Sequence, residues 1–296
     1  MTWFKRILLF AVTNLAVILV LTVVLRVLGI DRLLAQQGGL DYRALLALAL
    51  VLGMGGSLVS LALSRWMATR LTGAEVLERP RSETESWLLS SVADLARQKG
   101  VGTPDVAIYD APDMNAFATG VSRDRALVAV STGLLRGMDR EQVRAVLGHE
   151  LSHVANGDMV TLALIQGVVN TFVLFFSRVV GYLVDRAVFR TERGVGPGYF
   201  ITVIVTEIVF GLLATMVVMW FSRWREFRAD AGSAAVVGAA SMISALERLG
   251  QGAEPAALPN QLSAFGIAGR RGGGLQSLFL SHPPLATRIK ALRRLR

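Results

Sequence analysis

Apolar residues gather along this chain into four long runs, residues 7–25, 44–63, 160–184 and 199–221. A bilayer core about 30 Å thick is crossed by about 20 residues of helix, so each run predicts a membrane span. The first follows Lys5 and Arg6, is longer than the roughly 7–15 apolar residues of a secretory signal, and has no small-residue cleavage pattern behind it. It reads as an uncleaved anchor. Gly53, Gly55 and Gly56 in the second run allow a neighbouring helix to approach closely. The third and fourth runs each contain one charge at depth, Arg178 and Glu207, a costly placement unless the charge is paired or faces protein or water. The two lie at mirrored distances from the middle of the 185–198 connection. An antiparallel hairpin therefore predicts them at similar depth, facing each other or a polar interior.

Between the second and third runs the pattern changes to that of a globular domain. Ser82 followed by Glu85 opens a helix through Lys99, with Trp87, Leu88, Val92 and Leu95 on one face and Gly100 as its stop. Short β-type runs follow at 106–109, 116–119 and 126–130, separated by turn-rich 110–115 and 120–125, which predicts a small antiparallel sheet. Asp139 with Gln142 opens a second helix that runs to Asn156 and stops at Gly157. After the fourth apolar run the helical pattern continues unbroken through 225–237. Residues 250–274 are rich in Gly, Pro and Ala and read as a loop, including the Gly269–Gly274 stretch, and a last helix begins near His282, Pro283 and Pro284.

Composition supports membrane residence. The 296 residues are 53% hydrophobic and 18% charged, against roughly 45–50% and 25% in ordinary soluble domains. Net charge is +9, and only three of the 31 basic residues are lysine. In a membrane protein such an arginine surplus fits span ends facing anionic headgroups, so no nucleic acid partner is expected. The flanks divide unequally. Lys5, Arg6, Arg65, Arg70, Arg79, Arg81, Arg223, Arg225 and Arg228 lie on one side, and Arg26, Arg32, Arg43, Arg186, Arg190 and Arg193 on the other. The richer side is the cytoplasmic one, which places both termini and the 65–158 segment there. The expected organisation is two N-terminal spans in 1–64, a cytoplasmic region in 65–158, a membrane hairpin in 159–222 and a cytoplasmic C-terminal part in 223–296.

The chemistry rests on few side chains. With no cysteine and three histidines, thiol nucleophiles and cysteine-ligated metals are excluded. Two of those histidines form His149-Glu150-Leu151-Ser152-His153 inside the 140–156 helix. Four residues apart they share a helix face and converge on one ion, while Glu150 reaches a water activated by that ion. A catalytic zinc takes a third protein ligand, and position 159 holds Met159 instead of a further histidine. The third ligand is therefore His282 or a carboxylate. Glu226 stands out among the carboxylates: Glu226-Phe-Arg-Ala-Asp230 puts two acids a turn apart at the end of the fourth run, and two intervening spans return the chain to the side of the histidines. Asp230 is then placed to orient a ligating histidine from behind. Without the histidine pair, both acids would read as a charged helix face.

These motifs, with Asn115-Ala-Phe-Ala118 and His282-Pro-Pro284, resemble the HtpX family of membrane zinc metalloproteases, relatives of the prenyl-protein CAAX endopeptidases, over nearly the whole chain. The resemblance implies His149, His153 and Glu226 as ligands of one Zn2+ per subunit and Glu150 as catalytic acid and base. It also implies that Asn115, Ala116 and Phe117 line the substrate cleft and that His282 and Arg288 lie beside the centre. By itself Arg288 reads as a solvated arginine on the last helix; the resemblance raises the alternative that it pairs with Asp230 or with a substrate carboxylate. His282 is the first choice as catalytic donor to the developing oxyanion, with Asn115 as the alternative and helix capping as its plainer role.

The expected fold is a mainly α, four-span membrane protein with a cytoplasmic α+β zincin-like (gluzincin) domain carrying the small antiparallel sheet. The expected activity is that of a zinc endopeptidase for quality control under stress in the bacterial inner membrane, acting on unfolded or damaged membrane proteins. A dedicated processing protease of the CAAX type and a non-catalytic zinc-binding membrane scaffold are the alternatives. Oligomeric state is not legible.

Overall fold

The computed structural model describes residues 41–192, 194–251 and 281–295, together with Val23. The anchor expected at 7–25 and the Gly269–Gly274 stretch lie outside the described residues. The described chain is mainly helical, with a small sheet. Among the described residues three helices are long and apolar enough to cross a membrane: Tyr42–Thr72, Asp158–Ala187 and Pro197–Val237.

The first of these begins as α1 (Tyr42–Leu50), capped by Asp41, whose carboxylate accepts from the amides of Arg43 and Ala44. It passes through a π-helical turn at Val51–Gly55 and continues as α2 (Gly56–Thr72). The described residues up to Ser60 form one compact unit with Ala163–Val218, drawn from α6 (Asp158–Ala187) and α7 (Pro197–Val237). Leu45, Leu46 and Ala49 pack there against Phe175 and Val179. Gly53 is required by close approach, since a Cβ at that position would sit 2.4 Å from the Thr171 hydroxyl and 2.6 Å from its amide nitrogen. In the same unit the Arg178 guanidinium donates to Glu207 at 2.8 Å and to the Leu174 carbonyl at 2.9 Å, so the mirrored charges pair across the hairpin. Ile201, Ile204, Ile208 and Leu212 are exposed on α7, as a lipid-facing helix surface is.

The described residues within 61–162 and 219–295 make up the second unit. It contains β1 (Glu75–Val76), α3 (Glu83–Gln98), β2 (Asp105–Tyr109), β3 (Ala116–Ser122), β4 (Arg125–Ser131), α4 (Thr132–Gly137), α5 (Arg140–Asn156), α8 (Ala239–Gln251) and α9 (Leu285–Arg293). The sheet is mixed, in the order β1-β2-β4-β3, and this corrects the antiparallel sheet read from the sequence: β2 and β4 run parallel, Val106 opposite Val128 and Ile108 opposite Val130. The physical reason lies in the 110–115 segment, which carries the chain past the place beside β2. β3 then takes the outer edge, and the tight β3–β4 turn returns β4 into the gap. Alternation of apolar residues fixes which face each strand buries and is silent on direction. Gly120 (φ +141°) marks the bulge of this hairpin, where a Cβ would meet the Arg125 carbonyl oxygen at 2.3 Å.

One sheet face, through Val106, Ala116, Ala118, Val128 and Val130, joins Leu88, Val92 and Leu95 of α3, Val143, Val146 and Leu147 of α5, and Met242 and Leu246 of α8 in the main core. The other face, with Ala107, Tyr109, Phe117, Leu127 and Ala129, packs on Ala68 of α2.

Candidate metal centre

Helix α5 is fixed at both ends. Asp139 and Gln142 form a reciprocal capping box, at 2.8 Å from the Gln142 amide and 3.2 Å from the Asp139 amide, and Gly157 closes the helix in the left-handed conformation (φ 72°). Between these caps His149, Glu150 and His153 are all buried. Helix α7 supplies Glu226 and Asp230, one turn apart, and the chain entering α9 supplies His282, with Arg288 on α9 itself; all four are buried.

The ligand-capable atoms converge. The two Nε2 atoms of His149 and His153 are 3.1 Å apart, Glu226 Oε1 is 3.2 Å from His153 Nε2, and Glu226 Oε2 is 3.5 Å from His149 Nε2. Bonds of about 2.0–2.1 Å to a tetrahedral ion put its ligands about 3.3 Å from one another. The three side chains therefore stand at the spacing of one face of such a tetrahedron. Their other ring nitrogens are engaged elsewhere: His149 Nδ1 lies 2.9 Å from Asp230 Oδ1, and His153 Nδ1 lies 2.7 Å from Asp158 Oδ2. An Nδ1–H given to a carboxylate leaves the Nε2 lone pair free for an ion and makes it more basic. Among the described residues the buried Glu226 Oε1 accepts no hydrogen bond and faces His153 Nε2 at 3.2 Å, which suits an oxygen that can bind a cation.

Electrostatics point the same way. Burial works against a charged ring at His149, but the carboxylates of Asp230 and Glu226 outweigh it and raise the pKa to about 9. The same balance, with Asp158 in place of Asp230, raises that of His153. The carboxylates of Glu226, Asp230 and Asp158 thus favour a positive charge in the space between the two rings. Burial raises the Glu150 carboxyl above the usual carboxylate range, against the charges of His149 and His153 and a hydrogen bond from the Ala118 backbone. A base of raised pKa next to the ion site, touching the edge strand β3, is suited to moving a proton at neutral pH.

Arg288 is fully buried. Its Nε donates to Asp230 Oδ2 at 2.8 Å and its Nη2 to Oδ1 at 2.6 Å, a bidentate pair that holds the carboxylate behind His149. His282 donates from Nδ1 to Glu226 Oε2 at 2.7 Å, while its buried Nε2 has no hydrogen-bond partner among the described residues. Asn115 immediately precedes β3, its amide donating to the Ser131 hydroxyl at 3.0 Å and its carbonyl accepting from the Ser131 amide at 2.9 Å. Strand alternation divides the remaining pair: Ala116 faces the core shared with α5, whereas Phe117 points to the opposite face beside Tyr109. The structure therefore gathers His149, Glu150, His153, Glu226, Asp230, His282 and Arg288, and leaves the Phe117 side chain away from them. Asp158 escaped sequence reasoning. The available signal was an acid immediately past the helix stop.

A family model described as peptidase family M48 matches residues 82–296. Among full-length relatives, a protease HtpX homolog of Nitrosomonas eutropha is 59% identical over 97% of this chain and 99% of its own length. The protease HtpX of Nitrosococcus oceani is 60% identical over 98% of both chains. Among solved structures, the crystal structure of S. mikatae Ste24p superposes with a TM-score of 0.58 at 17% identity, covering 83% of this chain and 58% of that one. At that identity the likeness is one of fold. A chain with this family match, apolar helices of spanning length and a buried His-His-Glu group that fits a metal ion belongs to peptidase family M48, among the HtpX proteases, and is a membrane metalloprotease.

Proposed function

We propose that the chain is a zinc endopeptidase in which His149, His153 and Glu226 hold one Zn2+ and Glu150 is the general acid and base. The observation that carries this reading is the convergence of the two Nε2 atoms and the Glu226 carboxylate at 3.1–3.5 Å, each histidine backed by its own carboxylate. Zinc, when bound, supplies Lewis acidity to an attacking water and to the scissile carbonyl. Glu150 takes the proton of that water and delivers it to the leaving amine. Asp230 and Asp158 keep the imidazoles in the Nδ1–H tautomer, and Arg288 keeps Asp230 ionised and in place. His282 steers Glu226 through its Nδ1–H, and it can donate to the oxygen of the reacting carbonyl only when Nε2 carries a proton as well.

β3 ends the sheet order, so an extended polypeptide adds along it at 115–119. Recognition through backbone groups suits unfolded or damaged membrane proteins and a role in quality control under stress. We place the protease region (65–158 with 223–296) on the cytoplasmic side of the inner membrane as a zincin-like domain, with spans in 1–64 and a hairpin at 159–222, four in all. The Arg-rich flanks and the parity of the spans support this arrangement.

Purified full-length protein tests the chemistry. Glu150→Gln keeps stoichiometric zinc and loses cleavage of casein by about 10²–10⁴-fold, whereas Glu226→Ala loses zinc. Equal proteolysis by wild type and Glu150→Gln overturns Glu150 as the acid and base, whereas a wild type that binds zinc and cleaves nothing leaves a zinc-binding scaffold. Unchanged zinc content in Glu226→Ala moves the third ligand to His282.

A further inference from the structure

The metal centre draws its ligands from two helices, and their spacing has to be held to a few tenths of an ångström for the three ligand atoms to share one ion. The contact behind the ligands shows how. Ser233 lies one and two turns beyond Asp230 and Glu226 on the same side of α7, and it is fully buried. Its hydroxyl donates to the Ala145 carbonyl at 2.7 Å, four residues before His149. That carbonyl belongs to the α5 ladder and has a second lone pair to give, so the bond joins α7 to the turn that carries the first histidine. Opposite Ser233 stands Gly148, where a Cβ would come within 2.8 Å of the serine oxygen. One residue along, a Cβ on Gly232 would come within 2.6 Å of the Ser152 oxygen. Ser152 has its hydroxyl turned onto the Gly148 carbonyl at 2.7 Å. Lys99, from the end of α3, reaches the same place on α7 and donates to the Gly232 carbonyl at 2.8 Å. Here α5 and α7 touch almost backbone to backbone, with one hydroxyl bridging them.

We propose that Ser233 is a positioning residue of the metal centre: its bond to the Ala145 carbonyl sets the α5–α7 distance at which Glu226 meets His149 and His153. The inference rests on the reading of that trio as a zinc site. Loss of the hydroxyl leaves the Ala145 carbonyl with its partner in the helix and leaves the core apolar contacts intact. The fold survives, and the cost falls on the geometry of the ligands.

The test uses full-length protein in detergent or nanodiscs. Zinc affinity is measured by competition with a chromophoric chelator, cobalt(II) absorption reports ligand geometry, and thermal unfolding of the metal-free protein reports the fold. Ser233→Ala is expected to bind zinc about 10–100-fold more weakly, as loss of supporting groups behind metal ligands does. Its cobalt(II) bands shift, while metal-free unfolding stays close to wild type. Gly148→Ala, which forces the helices apart against the serine oxygen, weakens zinc in the same way. In Gly148→Ala with Ser233→Ala the clash is gone, so the double variant binds like Ser233→Ala alone. Wild-type affinity and cobalt spectrum in Ser233→Ala overturn the positioning role, as do losses that multiply in the double variant. If Ser233→Ala does not fold, Ser233→Cys, which keeps the volume with a weak donor, decides by the same two readouts. A wild-type chain that binds no zinc overturns the reading of the centre itself.

Discussion

Asp158 serves His153 as Asp230 serves His149, and the two carboxylates reach the site by different routes. Asp230 was legible because it sits a helical turn from Glu226. Asp158 lies five residues after His153, beyond the helix stop, and no helical spacing links them. The left-handed Gly157 turns the chain so that the Asp158 carboxylate swings back to Nδ1 at 2.7 Å. Asp158→Asn keeps the shape and removes the charge that fixes the tautomer. Zinc affinity is expected to fall about 10–100-fold in chelator competition, and an unchanged affinity would show that the ring needs no such partner. Arg288 carries the opposite lesson: its own position in the sequence read as solvated and only the family resemblance raised a pairing with Asp230, yet it is fully buried between Asp230 and Glu226. Only a pairing between residues 58 positions apart makes that burial tolerable.

At the scale of elements, local signals served the helices well. Capping boxes and a stop glycine placed α5 to the residue, because those bonds form between neighbours in sequence. The Ser82 cap likewise opens α3. β1, with two residues, and α4, with six, carry too little pattern to be seen. The mixed direction of the sheet was not legible, since strand partners are chosen by a crossover that no local alternation encodes. In the α6–α7 hairpin the Arg178–Glu207 pair makes a separable prediction. Arg178→Leu or Glu207→Leu alone leaves one charge unpaired at depth, and the double variant removes both. A coupling of about 1–2 kcal/mol is expected from a double-mutant cycle on hairpin stability in bilayers or micelles. Strictly additive losses would mean that the contact contributes nothing.

For the whole molecule, the chain's lack of cysteine makes its orientation testable, because any introduced thiol is unique. Val188, past the end of α6, is exposed, and so is Glu83 at the start of α3. In intact cells a membrane-impermeant maleimide is expected to label Val188→Cys and to label Glu83→Cys only after permeabilisation. The reverse pattern inverts the proposed topology. Within the second unit Glu226 and Asp230 lie inside the helical stretch of α7, so a helix rather than a loop presents them to the histidines.

What the sequence determined by itself was whatever neighbours decide: which runs are long and apolar enough to span, where α5 starts and stops, and that two histidines four apart share a face with Glu150 between them. Scarcity did the rest, since a chain with three histidines and no cysteine leaves a metal site few places to form. The tertiary structure decided what depends on residues meeting from afar. It put Glu226 at ligand distance from both histidines, Asp158 and Asp230 behind them, Arg288 in the core and Ser233 across the helix seam. Those contacts arise only when burial forces each charged or hydroxyl group to find a partner, and the partner's place in the sequence is set by packing, which no spacing rule contains.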